Sequence, residues 1–260
     1  MRTRRAAILI AWAALAATAT PSRAERLVTS LSNHQVLITS NFTGADLVLF
    51  GSIERDAATI ARSGGYDIVV TVIGARSGAV VRRKERVFGI WVNTDSRTFI
   101  DAPGYLAVAA NRSVEEIAGP DIRSQFRIGL DQIRPQQIAP GGVIETTPDD
   151  PSRTAFLRLK KASGLYSQRE NAITFLTPTL FRANIPLPAD APIGTYEIDV
   201  KLFGDGVILA REASAFEIVK VGFEQFMANA AHEHGTLYGV ATAGMALLIG
   251  FFASVIFRRD

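Results

Sequence analysis

The apolar positions of this chain are concentrated in one long run near its C-terminus. Residues 237–257 read LYGVATAGMALLIGFFASVIF and carry no charge, and Arg258, Arg259 and Asp260 follow at once. Because an α-helix rises about 1.5 Å per residue, this run spans about 30 Å, the thickness of the hydrocarbon core of a bilayer. The pattern predicts a transmembrane helix over 237–257, followed by a short tail at 258–260.

A shorter apolar stretch at the N-terminus predicts a secretory signal peptide. Three arginines within the first five residues precede the apolar residues 6–18, and Ser22 and Ala24 supply the small side chains of a cleavage site. We therefore interpret residues 1–24 as a cleaved signal, with Glu25 as the mature N-terminus. An uncleaved signal anchor and a twin-arginine export signal are the alternatives.

The two ends together predict the topology of the chain. The signal would carry the folded part across the inner (cytoplasmic) membrane, and the C-terminal helix would stop the transfer and leave its tail in the cytoplasm. The basic tail fits the excess of Lys and Arg on the cytoplasmic side, since the opposite flank, residues 231–234, has neither. We expect a single-pass protein with a periplasmic domain at 25–222 and a juxtamembrane segment at 223–236.

Strand patterns dominate the segment between the signal and the anchor. Residues 66–73, YDIVVTVI, are rich in β-branched side chains, and residues 195–203, TYEIDVKLF, alternate between apolar and polar positions before a hairpin signal at 204–206. Short strands spaced by about 10–15 residues predict a mainly β fold, an immunoglobulin-like β-sandwich. The turn-rich stretch 188–194 supports this fold by analogy, because bacterial immunoglobulin-like domains often carry such a stretch near their last hairpin.

The middle of the chain has helical patterns instead. A capping-box spacing at 113–116 precedes apolar residues at helical intervals over 122–133, and a second helical pattern covers 152–163. We interpret residues 111–168 as a helical insertion. The sequence leaves open whether the strands on its two sides form one sandwich or two small β domains. We prefer one sandwich, because neither part alone has enough strands to bury both faces.

Charge and cysteine content narrow the class of protein. The chain has 28 basic and 25 acidic residues, and residues 1–24 contain four of the basic ones and none of the acidic ones. The mature part therefore has 24 basic against 25 acidic residues, so the basic balance of the whole chain is no sign of nucleic-acid binding. The chain has no cysteine, which excludes disulfides, thiol chemistry and thiolate metal sites.

Familiar catalytic and metal-binding patterns are missing from the sequence. It has no nucleophile elbow, P-loop or zinc-protease motif, and its three histidines are His34, His232 and His234. On a helix, His232 and His234 do not face the same side, so we interpret them as a solvated helix end rather than a metal site. We expect no cofactor and no metal, and we favour a protein that is not an enzyme, with an enzyme of unrecognised site as an alternative.

The basic residues Arg82, Arg83, Lys84 and Arg86 form the first candidate binding surface. Three interpretations are open. The residues could be the solvated face of a strand and its turn, they could engage an anionic partner or anionic lipid headgroups, or their paired guanidinium groups could bind a small oxyanion. We interpret the nearby Trp91 as a core aromatic of the sandwich rather than as a ligand platform.

The predicted membrane helix carries the second candidate surface. Thr242, Ala246, Gly250 and Ser254 recur at every fourth position and form one stripe of small side chains. Such stripes let a second helix approach closely, because packing drives helix association in lipid. The alternative is that small residues are simply common in transmembrane helices.

Two long segments carry a resemblance to a known family. Residues 82–96, RRKERVFGIWVNTDS, and residues 174–203, TFLTPTLFRANIPLPADAPIGTYEIDVKLF, resemble a family of transmembrane proteins from alphaproteobacteria, as does the anchor with its Arg-Arg-Asp end. The family has no established activity to carry over. The resemblance implies an inner-membrane protein with a periplasmic domain, and it implies genomic proximity to permeases of the sulfite-exporter type.

Three functional hypotheses follow from these patterns. The first is a membrane-anchored periplasmic accessory or interaction protein whose helix binds a permease-type partner or a second copy of the chain. The second is a periplasmic binding module for a small anion that uses the patch at 82–86. The third is an enzyme whose site lies in the helical insertion. We expect the bilayer to be a partner and nucleic acid not to be one.

Overall fold

The structure, a computed structural model, describes residues 25–39, 42–55, 65–138, 142, 144–145, 150–222 and 231–256. The predicted signal peptide, most of the predicted juxtamembrane segment and the predicted cytoplasmic tail lie outside the described residues. The described part is mainly β, as the sequence predicts, and a long apolar helix stands at its C-terminal end.

The described residues form fourteen strands and several helices, which we number in chain order. The strands are β1 (Glu25–Leu31), β2 (Gln35–Ile38), β3 (Gly44–Arg55), β4 (Asp67–Ile73), β5 (Arg76–Val87), β6 (Ile90–Pro103), β7 (Leu106–Ala110), β8 (Gln136–Ile138), β9 (Ile144–Glu145), β10 (Tyr166–Arg169), β11 (Ile173–Thr177), β12 (Leu180–Pro188), β13 (Gly194–Gly204) and β14 (Val207–Lys220). The α-helices are α1 (Val114–Ile117), α2 (Pro120–Phe126), α3 (Pro151–Ala162) and α4 (Gly235–Ile256), and residues Leu130–Gln132 form a 3₁₀ turn.

Two sheets enclose one apolar core. The first has the strand order β1-β3-β12-β11, and the second has the order β10-β7-β4-β13-β14-β2. The predicted alternation is present in the first half of β13, with Tyr196, Ile198 and Val200 buried towards the other sheet, where they meet residues such as Leu49 and Phe181. The polar face is not solvated throughout, because Lys201 is 2% exposed and forms an ion pair with Asp199. Strands from before and after the insertion pair directly, β3 with β12 and β4 with β13, so the two parts of the chain build the same two sheets.

The chain changes sheet within its first strands. β1 is antiparallel to β3 in the first sheet, whereas β2 is parallel to β14 at the edge of the second sheet. At the start of β13, the Tyr196 hydroxyl donates a hydrogen bond to the carbonyl oxygen of Pro192, four residues earlier, over 2.7 Å. Residues 25–38 therefore supply an edge strand to each of the two sheets. The tyrosine hydrogen bond holds the segment that precedes β13 against the start of that strand.

The strand β4 is buried on both faces, which explains why its sequence is almost continuously apolar. Ile68, Val70 and Val72 face the core between the sheets, and Val69 faces a second core on the outer side. The insertion covers that outer side with Ile117, Phe156 and other apolar residues. The second sheet thus lies between two apolar layers.

A long hairpin, β5–β6, leaves the second sheet where β4 ends and β7 begins. The hydrogen bonds from Gly74 N to Tyr105 O and from Gly104 N to Ala75 O, both 2.8 Å, continue the β4–β7 ladder into it. Phe99 near its base is fully buried, but the expectation that Trp91 is a core aromatic is wrong, because 67% of Trp91 is exposed. The two strands of the hairpin extend beyond the two packed sheets. Its outer half is therefore not covered by another sheet among the described residues.

The insertion contains less helix than its pattern suggests. The helix α2 ends because Arg127 adopts a left-handed conformation with φ of 51°, and a 3₁₀ turn follows in place of further α-helix. Ser113 precedes α1, but its hydroxyl donates to the Glu115 carboxylate over 2.7 Å and caps no backbone N–H group. Residues Tyr166–Arg169 at the end of the predicted insertion form the strand β10, which pairs in parallel with β7.

Candidate functional site

The helix α4 has the length and composition to cross a membrane. Among the described residues it is the one helix that passes this test, with a mean hydropathy of 1.7 over Gly235–Ser254 and no burial against the rest of the chain. The hydroxyl of Thr242 donates to the carbonyl oxygens of Tyr238 and Gly239 over 2.9 and 3.0 Å, so the helix satisfies this polar group internally. The predicted span at 237–257 thus falls almost entirely on α4.

The stripe predicted at Thr242, Ala246, Gly250 and Ser254 lies along one side of α4. Apart from the adjoining residues and backbone of α4 itself, no heavy atom of the described residues lies within 4 Å of the position that a Cβ on Gly250 would take. The helix therefore presents this stripe without a covering element among the described residues, which is the arrangement that close helix packing in lipid requires.

The basic residues of the predicted patch lie on the outer half of the β5–β6 hairpin. In β5, Arg82, Lys84 and Arg86 point to one side of the ribbon, and Arg83 points to the other. Arg83 forms an ion pair of 2.8 Å with Glu85, and the Arg86 Nε donates to the Gly89 carbonyl oxygen over 3.3 Å. These side chains are exposed and do not converge on one point, so they form a charged arm rather than a pocket.

A cleft of about 550 Å³ lies elsewhere, between the outer face of the second sheet and the insertion. Its floor is formed by β4 and β7, one wall by the base of the β5–β6 hairpin, and the other wall by residues 124–136. The lining residues are Thr71, Ile73, Arg76, Ile100, Asp101, Pro103, Leu106, Val108, Ser124, Gln125, Arg127, Gly129, Gln132, Ile133, Arg134, Pro135 and Gln136.

Thr71 is the polar group in the floor of this cleft. It lies on the outer face of β4 between Val69 and Ile73, and 6% of it is exposed. Its hydroxyl has no hydrogen-bond partner among the residues that the structure describes. Burial of a hydroxyl without a hydrogen-bond partner lowers the stability of the fold. The Thr71 hydroxyl can still donate to and accept from a polar group that enters the cleft.

Two side chains hold the wall at 129–134 in place. The Gln168 side-chain oxygen, on β10, accepts a hydrogen bond from the backbone N–H of Leu130 over 3.0 Å. On α3, the Arg153 guanidinium donates to the carbonyl oxygen of Ile133 over 2.8 Å and to that of Asp131 over 2.7 Å. The wall is thus fixed from both sides, even though it contains little regular structure.

The cleft is electropositive. Arg76, Arg127 and Arg134 line it with one carboxylate, that of Asp101, which lies 3.3 Å from Arg76 in a partly exposed ion pair. No ion pair links Arg127 or Arg134 to any acidic group within the described ranges. Three guanidinium groups and an unpartnered hydroxyl around one cavity suit a small anion with several oxygen atoms.

The polar side chains that line the cleft are those of arginine, glutamine, serine, threonine and one aspartate. No histidine lines it, and the described residues contain no group of three His, Asp or Glu side chains that could hold a metal ion. The cleft residues were not apparent from the sequence, because Thr71 and Arg134 are far apart in the chain. The one usable signal was a threonine within the otherwise apolar run 68–73.

An ion pair fixes the strands that carry the floor. At the start of β4, the Asp67 carboxylate accepts hydrogen bonds from Arg112 Nε over 2.8 Å and from the Asn111 amide over 2.9 Å, and the Asn111 side-chain oxygen accepts from Ile68 N. Burial acts to raise the pKa of Asp67, but the hydrogen bonds from Arg112 and Asn111 together outweigh it and hold that pKa below its ordinary value.

The chain belongs to a family of transmembrane proteins. The family model described as "Putative transmembrane protein (Alph_Pro_TM)" matches residues 26–259, which is nearly the whole chain. The membership expected from the resemblance at 82–96 and 174–203 is thereby confirmed. No curated protein matches the chain.

The Asp67 ion pair generates a prediction about pH. Because the pKa of Asp67 is lower in the folded state, its contribution to stability is complete above the ordinary pKa of an aspartate and is lost as the pH falls through the folded-state value. We expect Asp67→Asn to destabilise the full-length protein in detergent by about 1–2 kcal/mol at neutral pH, and by less at acidic pH. Chemical unfolding at a series of pH values measures this.

The matched control is Asp190→Asn, which changes an exposed aspartate in a turn. We expect its unfolding curves to follow those of the unsubstituted protein at every pH. Equal destabilisation by Asp67→Asn at neutral and acidic pH would contradict the electrostatic account.

Proposed function

We propose that this family member is a single-pass protein of the cytoplasmic membrane that holds its β-rich part in the periplasm and acts as an accessory or interaction protein. The observation that carries the proposal is α4, an uncharged and largely apolar helix that packs against none of the other described residues. A helix of this kind is stable only in lipid or against other membrane helices.

The proposed orientation rests on charge and on the N-terminal segment. Arg258 and Arg259 follow α4 directly, and the residues just before it contain no Lys or Arg, which favours a cytoplasmic C-terminus. The signal-like residues 1–24 favour export of the part that follows. The chain would therefore expose its sheets, its cleft and its hairpin to the periplasm.

We infer that the two sheets form an immunoglobulin-like sandwich. The strand orders β1-β3-β12-β11 and β2-β14-β13-β4-β7 correspond to the ABED and A′GFCC′ sheets of such domains, and the passage of the chain from β1 to β2 corresponds to their split first strand. The Tyr196 hydrogen bond to Pro192 has the position of the tyrosine corner. Domains of this fold serve many functions, so the interaction role rests on α4 and the surfaces and not on the fold.

The partner that we propose for α4 is another membrane helix. The stripe of small residues suits close packing, and the family resemblance favours a permease of the sulfite-exporter type over an unrelated membrane protein. Self-association through the same stripe is the alternative. Either partner would use the accessory domain as a periplasmic extension of a membrane complex.

A second candidate function is the binding of a small anion in the cleft. The observation that favours it is the combination of Arg76, Arg127 and Arg134 with the unpartnered hydroxyl of Thr71 around one cavity. The exposed arginines at 82–86 are less suited to this role, because they lie on opposite sides of a two-stranded ribbon. The two functions are compatible, since a bound anion would sit in the domain that the anchor holds.

The topology is tested with two reporter fusions in intact cells. Alkaline phosphatase inserted after residue 222 is expected to be active, because it acquires activity only outside the cytoplasm, and a fluorescent protein fused after residue 260 is expected to fluoresce. An inactive phosphatase together with full-length protein in the soluble fraction would refute the proposed placement.

The helix partner is tested with Gly250→Leu. The added side chain would separate two helices that pack on the stripe, so we expect association to weaken by about fivefold or more, measured by co-purification in mild detergent and by a membrane dimerisation reporter. The matched control is Gly244→Leu, which adds the same volume on another side of α4. Equal effects of the two substitutions would contradict a specific stripe.

The second candidate is tested with sulfate as the probe. At constant ionic strength, replacing chloride by sulfate is expected to raise the melting temperature of the full-length protein, because an anion that binds only the folded state stabilises it. Arg127→Gln and Thr71→Val should reduce the shift, whereas Arg158→Gln, on the exposed side of α3, should leave it unchanged. A shift of the same size in all four proteins would refute a site in the cleft.

A further inference from the structure

The outer half of the β5–β6 hairpin leaves large apolar side chains exposed to solvent in the described structure. Phe88 is 100% exposed, Ile90 70% and Trp91 67%, and Val87 and Val92 are also exposed. Single exposed apolar residues are common on protein surfaces, but five within six consecutive positions at the tip of an arm form a patch. Such patches mark sites of interaction with another protein or with a membrane.

The turn at the tip contains a residue that is unfavourable for its backbone conformation. Phe88 and Gly89 both have positive φ, 49° and 85°. Positive φ at both central residues is the requirement of a two-residue type I′ hairpin turn. Asparagine, aspartate and glycine favour that conformation, whereas a phenylalanine is strained in it. A strained aromatic residue that makes no contact points to a role outside the folded chain.

Basic residues accompany the apolar ones. Arg86 lies directly opposite Trp91 in the register of the hairpin, and Arg82 and Lys84 continue the same side of β5 towards the body. Residues 82–92 contain four basic side chains and one acidic one. The hairpin thus has apolar side chains at its tip and basic side chains next to them. This order matches an anionic bilayer, in which negative headgroups lie above an apolar layer.

The place of the hairpin in the fold puts it near the membrane anchor. Glu197 on β13 pairs with both Ile73, the last residue of β4, and Ala215, near the end of β14. The base of the hairpin therefore lies at the same end of the second sheet as Lys220, from which the chain continues to α4. Twelve residues of β5 extend about 40 Å, and the fourteen residues between β14 and α4 reach at most about 50 Å.

We propose that the tip of the β5–β6 hairpin inserts Phe88, Ile90 and Trp91 into the interface of the bilayer that holds α4, with Arg82, Lys84 and Arg86 against anionic headgroups. This inference rests on the proposed function in one respect, namely that α4 lies in a membrane. The hairpin is then a second, reversible attachment point that fixes how the domain stands over the lipid.

Lipid is favoured over a protein partner by two features together. The apolar residues lie at the extremity of a two-stranded ribbon, and the charge next to them has one dominant sign. Tryptophan at an apolar tip also suits the headgroup level, where its ring has an apolar and a polar environment. A protein that covers the tip is an outcome that the experiment below recognises.

The test uses the fluorescence of Trp91 in the full chain. The second tryptophan, Trp12, is replaced by phenylalanine, so that Trp91 is the single reporter. The protein is reconstituted into vesicles of phosphatidylcholine and phosphatidylglycerol whose acyl chains carry bromine, which quenches only tryptophan that enters the lipid. We expect a blue-shifted emission and strong quenching, and weaker quenching in vesicles of phosphatidylcholine alone.

Two variants separate insertion from folding. Phe88→Asn removes the apolar apex and places a residue that favours positive φ, so it should lose most of the quenching while the melting temperature stays the same or rises. Val207→Asn removes an exposed apolar residue at the opposite end of the second sheet, and its quenching should equal that of the parent protein.

Flotation of the vesicles distinguishes the failure of this inference from the failure of the anchor. Protein that floats with the vesicles while Trp91 stays unquenched and water-exposed would overturn the hairpin insertion alone, and would leave the tip to a protein partner. Protein that does not float at all would refute both the membrane anchor and the insertion. Quenching that survives Phe88→Asn unchanged would also overturn the proposed tip contact.

Discussion

The structure depends on the burial of β4 on both of its faces. A central strand that packs against one sheet on its inner side and against an insertion on its outer side cannot be moved without opening two cores at once. Ile68 and Val72 hold the first core and Val69 belongs to the second. Two surfaces of functional interest follow from this arrangement. The cleft lies over β4 with the insertion as one wall, and the β5–β6 hairpin continues from the end of β4.

The elements that depend on local periodicity could be predicted from the sequence. The length of α4 is visible because a helix that lipid surrounds is apolar on all sides. The alternation at the start of β13 is visible because one face of that part of the strand is buried and the other is solvated. The cleft left no such trace, because Thr71, Arg76 and Arg127 meet only after β4, β5 and α2 pack together. Tertiary contact of this kind is not encoded in the spacing of residues along the chain.

The wrong assignment of Trp91 has a definite physical cause. An apolar residue on a strand pattern indicates a covered face only if a second layer of structure exists opposite it, and the sequence of 82–92 does not say whether one does. Phe99, seven residues beyond the turn-proximal Val92 on the same strand, is fully buried, which marks where the covering layer ends. The apolar pattern of 87–92 is therefore uncovered within the fold, and the proposed lipid contact would supply the missing cover.

A domain attached to a membrane at one point can rotate about that point, whereas a domain attached at two points presents one side to the bilayer. Once α4 is in the membrane, the hairpin tip is confined near the lipid at a high effective concentration, so a weak contact suffices to keep it there. The base of that hairpin supplies Arg76 and Asp101 to the rim of the cleft. Attachment of the hairpin tip would therefore also orient the cleft relative to the membrane surface. In that arrangement the anchor, the hairpin and the basic cleft would act together, because the attachment of the first two would set the direction in which the third opens.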